Sequence, residues 1–205
     1  VTYLPDELEE AVALLGQRVW LGNLGECRQQ LLLLGDARNA PPGTRTAVLA
    51  EPPQTGDPQS GPPPADSTML YAARPGTPPA CTLQPDKYVY DLHAVLHAAG
   101  LQNSWGAAHG LRPLGDEHGY FTGDVRLDSP WAQRFETRAV LPWDDRQVRR
   151  WLRSEGAGIV EVKNRLFRLE VNTYQRKYSG TGEVPFTLLV TRLGDRIRVI
   201  MGQRS

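Results

Sequence analysis

Arg146, Arg149, Arg150 and Arg153 recur at i, i+3, i+4 and i+7, a spacing that puts four side chains on one face of an α-helix. On the other side of the same segment, residues 144–154 (DDRQVRRWLRS), Val148, Trp151 and Leu152 cluster. Four guanidinium groups with no acid among them repel one another, whereas alternating Glu and Lys is the usual way to make a helix face merely solvated. Planar, permanently charged guanidinium forks suit phosphate oxygens. Lys163, Arg165, Arg168, Arg176 and Lys177 follow within 25 residues. The pattern admits three readings: a solvated face, a phosphate-binding face, or a surface for an acidic protein.

The remaining candidates are weaker. His93 and His97 stand at i, i+4 on an expected helix, a spacing that can chelate a metal, but nothing fixes a third ligand among His109, His118 or the carboxylates. Ser104, Ser129 and Ser154 sit in no Gly-x-Ser-x-Gly context. Cys27 has no evident His partner and reads as a buried or half-buried strand thiol. A nucleotide or S-adenosylmethionine site needs a strand, a glycine-rich turn and then a helix. Gly156-Ala157-Gly158 comes in the reverse order, after a helix and before a strand, and Gly22 and Gly25 lie between two expected strands. Both read as turns. Trp105, Trp131, Trp143, Trp151, Phe121 and Phe135 read as core aromatics, with base stacking as the alternative. The residues therefore supply no catalytic candidate and no cofactor or metal site within this chain.

The formal net charge is zero, yet residues 1–133 carry 8 Lys+Arg against 15 Asp+Glu and residues 134–205 carry 15 against 8. The basic half either faces an anionic partner or is matched by the acidic half. Two cysteines, far apart in sequence, fit a reducing cytoplasm better than a disulfide scaffold. No apolar run approaches the roughly 20 residues that span a bilayer, so no membrane partner is expected. The chain begins at Val1 and reads as a piece of a longer protein or one with a trimmed N-terminus.

Several elements must position these residues. A helix is expected over 6–15, and strands over 17–21, 27–34 and 44–50. Proline-rich segments at 51–67 and 74–85 flank an apolar island at 69–73 and divide a β-rich part, 1–86, from a denser part, 87–205. In the latter, helices are expected at 91–99, 103–109, 144–154 and 170–178, the last with Val171, Tyr174 and Tyr178 on one face. Asp144 and Gln147 stand as in a capping box. Strands are expected at 134–141 and 158–163. A terminal hairpin, 186–193 and 196–201, turns on Gly194-Asp195. With Leu193 opposite Arg196, its core face holds Phe186, Leu188, Val190, Ile197, Val199 and Met201. Thr187, Leu189, Thr191, Arg196 and Arg198 then fall on a partly wet face. The fold class is α+β.

The segments GYFTGD (119–124), SPWAQRF (129–135), VLPW (140–143) with the helix after it, VEVKNR (160–165) and the hairpin FTLLVTRLGDRIRVIM (186–201) resemble a known family. Together they look like the THUMP-like C-terminal domain of bacterial class I S-adenosylmethionine-dependent methyltransferases. GECR (25–28), before an apolar strand, resembles the segment those proteins place just after the methyltransferase core. The chain departs from the family pattern after Lys163, which is followed by NRLF where a Lys-Arg-Gly turn is common.

The resemblance implies a THUMP-like α+β domain over 87–205, downstream of a catalytic domain on the same polypeptide that would use S-adenosylmethionine. It also implies association with RNA. The function expected is an accessory RNA-binding region that positions substrate, with Arg146, Arg149, Arg150, Arg153, Lys163, Arg165, Arg176 and Lys177 as candidate contacts. The alternative is a protein-interaction or intramolecular docking module without nucleic-acid binding.

Overall fold

The structure, a computed structural model, describes residues 15–23, 25–50, 68–77, 79–115, 119–166 and 170–205. The helix expected at 6–15 lies outside these save for Leu15, as do segment 51–67, His118 and Arg168. The fold is α+β. The chain divides into two compact units, Val1–Thr77 with Leu92–Trp105, and Pro78–Asp91 with Gly106–Ser205. Residues 92–105 thus group with the first unit, across the division at 86/87 read from composition.

The first unit is a four-stranded sheet in the order β2-β1-β3-β4, with β1 Gln17–Asn23, β2 Glu26–Leu33, β3 Arg45–Ala50 and β4 Thr68–Ala73. The apolar island is therefore a strand, and it pairs antiparallel with β3. Gly25, at φ 81°, makes the turn from β1 to β2. Helix α1, Ala94–Ala98, lies on this sheet with Val95 and Leu96 fully buried. Only glycine fits at position 22, since a Cβ there would stand 2.8 Å from the Val95 Cβ. Cys27 is half-buried, and burial pushes its thiol up from the ordinary value.

The helix expected at 91–99 begins late. Residues 88–92 (YVYDL) form strand β5, all five positions buried, and His93 caps α1 by accepting from the Val95 amide at 3.2 Å. A run of aromatic and β-branched residues favours a strand over a helix turn. Helix α2 spans Gln102–Ala108.

The second unit carries a seven-stranded sheet that includes β5, in the order β6-β7-β5-β8-β11-β10-β9. Its other strands are β6 Arg112–Leu114, β7 Tyr120–Gly123, β8 Ala132–Pro142, β9 Ala157–Asn164, β10 Val184–Leu193 and β11 Arg196–Arg204. Helix α3, Asp145–Ser154, leads from β8 to β9, and helix α4, Val171–Tyr178, links the parallel pair β9 and β10. The β10–β11 hairpin has the expected register, Leu193 opposite Arg196, with Gly194 at φ 59°. Phe186, Leu188, Val190, Val199 and Met201 are buried on one face and pack with Val148 and Leu152 of α3, Val160 and Val162 of β9, and Tyr178 of α4.

The opposite face of the hairpin is not wet at its centre. Thr187, Leu189 and Thr191 are buried, and Leu189 and Ile200 pack with Val89, Leu114, Tyr120 and Phe135. Residues of β5, β6 and β7 in the same sheet, with Phe135 of β8, cover that face, which a hairpin considered alone does not reveal. Arg196 stays exposed and Arg198 half-exposed at the loop end. The core aromatics are as expected: Trp105, Phe121, Phe135 and Trp131 are buried, and Trp151 packs edge-on to Phe186 with ring centroids 5.0 Å apart.

Candidate nucleic-acid interface

Helix α3 starts where its sequence says it should. The Asp144 carboxylate accepts from the Gln147 amide at 2.9 Å, satisfying one of the orphan donors of the first turn. Val148 and Leu152 are buried against β9, each worth roughly 1.5–3 kcal/mol of burial, and that fixes the helix's rotation. The rotation turns Arg146, Arg149, Arg150 and Arg153 outward, and all four are exposed.

Their partners differ. Arg149 pairs with Asp145 one turn earlier at 3.2 Å, and Lys177 of α4 reaches the other oxygen of the same carboxylate at 2.9 Å. Asp145 therefore ties the two helices together. The hydrogen bond from Lys177, aided by the positive charge of Arg149, holds its carboxyl below the usual carboxylate range. Burial first, and the Asp145 charge next, push the Tyr178 hydroxyl up. Among the described residues, Arg146, Arg150 and Arg153 have no carboxylate within 4.0 Å. Arg176 is exposed and donates back to the Asn172 carbonyl at 3.3 Å.

Lys163 and Arg165 stand apart from this group. Val160 and Val162 of β9 face the helices, so the alternation of the strand sends Lys163 to the other side of the sheet. There Asp91 accepts from Lys163 at 2.9 Å and from Arg165 at 2.6 Å, with the Asp91 side chain 9% exposed. Lys163 also donates to Gln133 at 2.7 Å. The structure thus brings together Arg149, Arg153 and Lys177 and leaves Arg146 and Arg150 beside them. It assigns Lys163 and Arg165 to a half-buried ion network. Asp91 lies 72 and 74 residues away from its partners, beyond any local pattern.

A cleft of about 520 Å³ opens beside the arginine stripe. Arg149, Arg153 and Lys177 line it, together with Gly156, Ala157 and the loop Ser179-Gly180-Thr181-Gly182. Two of the backbone segments that line it are in direct contact: Gly180 donates to the Gly158 carbonyl at 2.8 Å, Gly182 to Ala157 at 3.2 Å and Val184 to Gly156 at 3.2 Å. A Cβ on Gly180 would stand 2.6 Å from the Ala157 carbonyl oxygen, so side chains are excluded from the contact. The signal in the sequence was a Gly-x-Gly pair at each segment, 156–158 and 180–182, which only the β9–β10 pairing joins.

His93 is the cap and His97 lies in the last turn of a five-residue helix, so the expected i, i+4 pair on one helix face is not made. No group of three His, Cys, Asp or Glu suited to a metal exists among the described residues. Gly156, at φ 65°, follows α3 and precedes β9, the reverse of the order a dinucleotide or S-adenosylmethionine turn requires.

Residues 132–204, from β8 through β11 and so including the arginine stripe and the cleft, match the family described as THUMP domain-like. Two uncharacterized S-adenosylmethionine-dependent methyltransferases of Mycobacterium tuberculosis, from strains CDC 1551 / Oshkosh and ATCC 25618 / H37Rv, are each 30% identical over 118 residues. That stretch is 57% of this chain and 32% of each relative, about a third of the relatives' length. In fold, the chain is similar to the crystal structure of a candidate methyltransferase from Porphyromonas gingivalis W83, with a TM-score of 0.69 and 17% identity over 97% of this chain and 48% of that one. Residues 132–204 are thus similar to the THUMP domain-like family, and a stretch of 118 residues is similar to part of two S-adenosylmethionine-dependent methyltransferases.

Proposed function

We propose that this chain is the accessory, C-terminal, RNA-binding region of a bacterial, class I S-adenosylmethionine-dependent methyltransferase acting in the cytoplasm. In this reading its catalytic domain, on the same polypeptide, supplies the S-adenosylmethionine site, and the THUMP-like domain holds RNA so that the substrate reaches it. One observation carries the proposal: Arg146, Arg150 and Arg153 are exposed on one helix face with no carboxylate against them among the described residues. Uncompensated guanidinium groups release counterions when they meet phosphates, so each contact gains from the salt entropy. The match to a THUMP domain-like family over that helix supports the choice of RNA. No helix among the described residues is long and apolar enough to cross a membrane.

Structured RNA titrated at rising salt tests the proposal. Three to four neutralised phosphates predict a log–log slope of about −3. Arg146→Glu with Arg150→Glu is expected to weaken binding across sequences and flatten that slope. Absent or salt-independent binding would refute the reading. The docking alternative accounts for one feature, the capture of Lys163 and Arg165 by Asp91, but not for the outward stripe on α3.

A further inference from the structure

The outward stripe explains sequence-independent grip on a backbone, yet the cleft next to it has a different shape and different donors. Arg153 lines it with its guanidinium unpaired among the described residues, and Arg149 and Lys177 line it from two helices. Asp145 neutralises one of these three charges. The C-terminal ends of α3 and α4 converge here as well, each worth roughly half a negative charge. The residues that line the cleft include three cations and no carboxylate, so the lining itself draws in an anion.

Shape then narrows the ligand. The lining segments 156–157 and 179–182 are held together by backbone hydrogen bonds, so the cleft is closed on that side. A phosphodiester within a strand must leave on two sides, whereas a phosphate monoester leaves on one. A terminal phosphate also carries about −1.5 to −2 charge, against −1 within a strand, and so gains more from the cleft. The volume, about 520 Å³, lies in the range of pockets that hold ligands of nucleotide size. Arg146 lies seven residues before Arg153, about 10 Å along the helix axis at 1.5 Å per residue, so a strand leaving the cleft meets the stripe.

We propose that this cleft binds a terminal phosphate monoester, the phosphorylated end of an RNA strand whose backbone continues along Arg150 and Arg146. The source of that phosphate rests on the RNA-binding reading above; the cleft itself does not. The same chemistry would accept a free mononucleotide.

The test compares one oligoribonucleotide in three forms, 5′-phosphorylated, 3′-phosphorylated and without a terminal phosphate, by fluorescence anisotropy with the whole chain. Adenosine 5′-monophosphate serves as competitor and, separately, as an NMR titrant. One phosphorylated form is expected to bind roughly tenfold more tightly than the unphosphorylated one, the size of one charge-assisted contact. Arg153→Ala should erase that preference, and Arg153→Lys should keep part of it. Arg146→Ala should weaken all three forms and leave the preference intact. Equal binding of the three forms, or a preference that survives Arg153→Ala, overturns the cleft proposal while leaving RNA binding by the stripe in place. If no oligonucleotide binds but the mononucleotide shifts the amides of residues 179–182, the cleft stands with a free nucleotide as its ligand and the RNA reading falls. If neither binds, both fall.

Discussion

Replacing Asp91 by Ala should destabilise the second unit without reducing the RNA affinity proposed for it. Asp91 is 8% exposed and accepts three charge-assisted hydrogen bonds: from Lys163 at 2.9 Å, and from Arg165 at 3.2 and 2.6 Å. Removing one partner of a buried pair costs about 3–5 kcal/mol when the other charges are left uncompensated. Here Lys163 and Arg165 are 21% and 33% exposed, so both can partly rehydrate, and Lys163 keeps Gln133. That lowers the expected cost to about 2–3 kcal/mol. For a protein of this size, about 2–4 °C of melting temperature per kcal/mol translates into a fall of roughly 5–10 °C. Differential scanning calorimetry reads the fall, and the RNA titration on the same sample reads the affinity. A melting temperature within a degree of the parent would refute the structural role given to the network. A large loss of RNA affinity in Lys163→Gln with Arg165→Gln, at unchanged stability, would show instead that these two cations belong to the interface.

Two further outcomes follow from local geometry. The Asp145 carboxyl is held down chiefly by its hydrogen bond from Lys177, so its stabilising effect is present above the ordinary carboxylate range and is lost as pH falls through its lowered folded value. Melting curves of the parent and Asp145→Asn should therefore converge in acid, below about pH 4, and separate at neutral pH; a constant gap at all pH values would contradict this. Gly182→Ala should be destabilising by about 1–3 kcal/mol, because its Cβ would press into the Gly156 carbonyl oxygen, and chemical denaturation at equal slope is the check.

How much of this could be seen in the residues alone depends on distance along the chain. The α3 cap at Asp144, the outward arginines, the apolar face of α4 and the Leu193–Arg196 register are all set within a dozen residues, and each was readable from spacing. The last two residues of β5, 91 and 92, fall inside the helix expected at 91–99 because the strand runs directly into α1, with His93 as its cap. Strand β4 sits between two proline-rich stretches that mask it, and it is stabilised by β3. The burial of Thr187, Leu189 and Thr191 depends on strands that begin some 65 to 100 residues earlier, so period-2 alternation could not announce it. The same holds for the cleft. Its cations were visible one by one, but their convergence needs α3 and α4 packed on the same sheet face and two Gly-x-Gly turns laid against each other.

The proposed RNA binding rests on the outward arginines of α3. Photo-crosslinking of bound structured RNA to the chain, followed by peptide mapping, tests this most directly. Crosslinked peptides are expected from residues 145–154 and 177–182, reduced when Arg146 and Arg150 are reversed to Glu. Crosslinks confined to the first unit, or spread over the surface and untouched by the charge reversal, would contradict it.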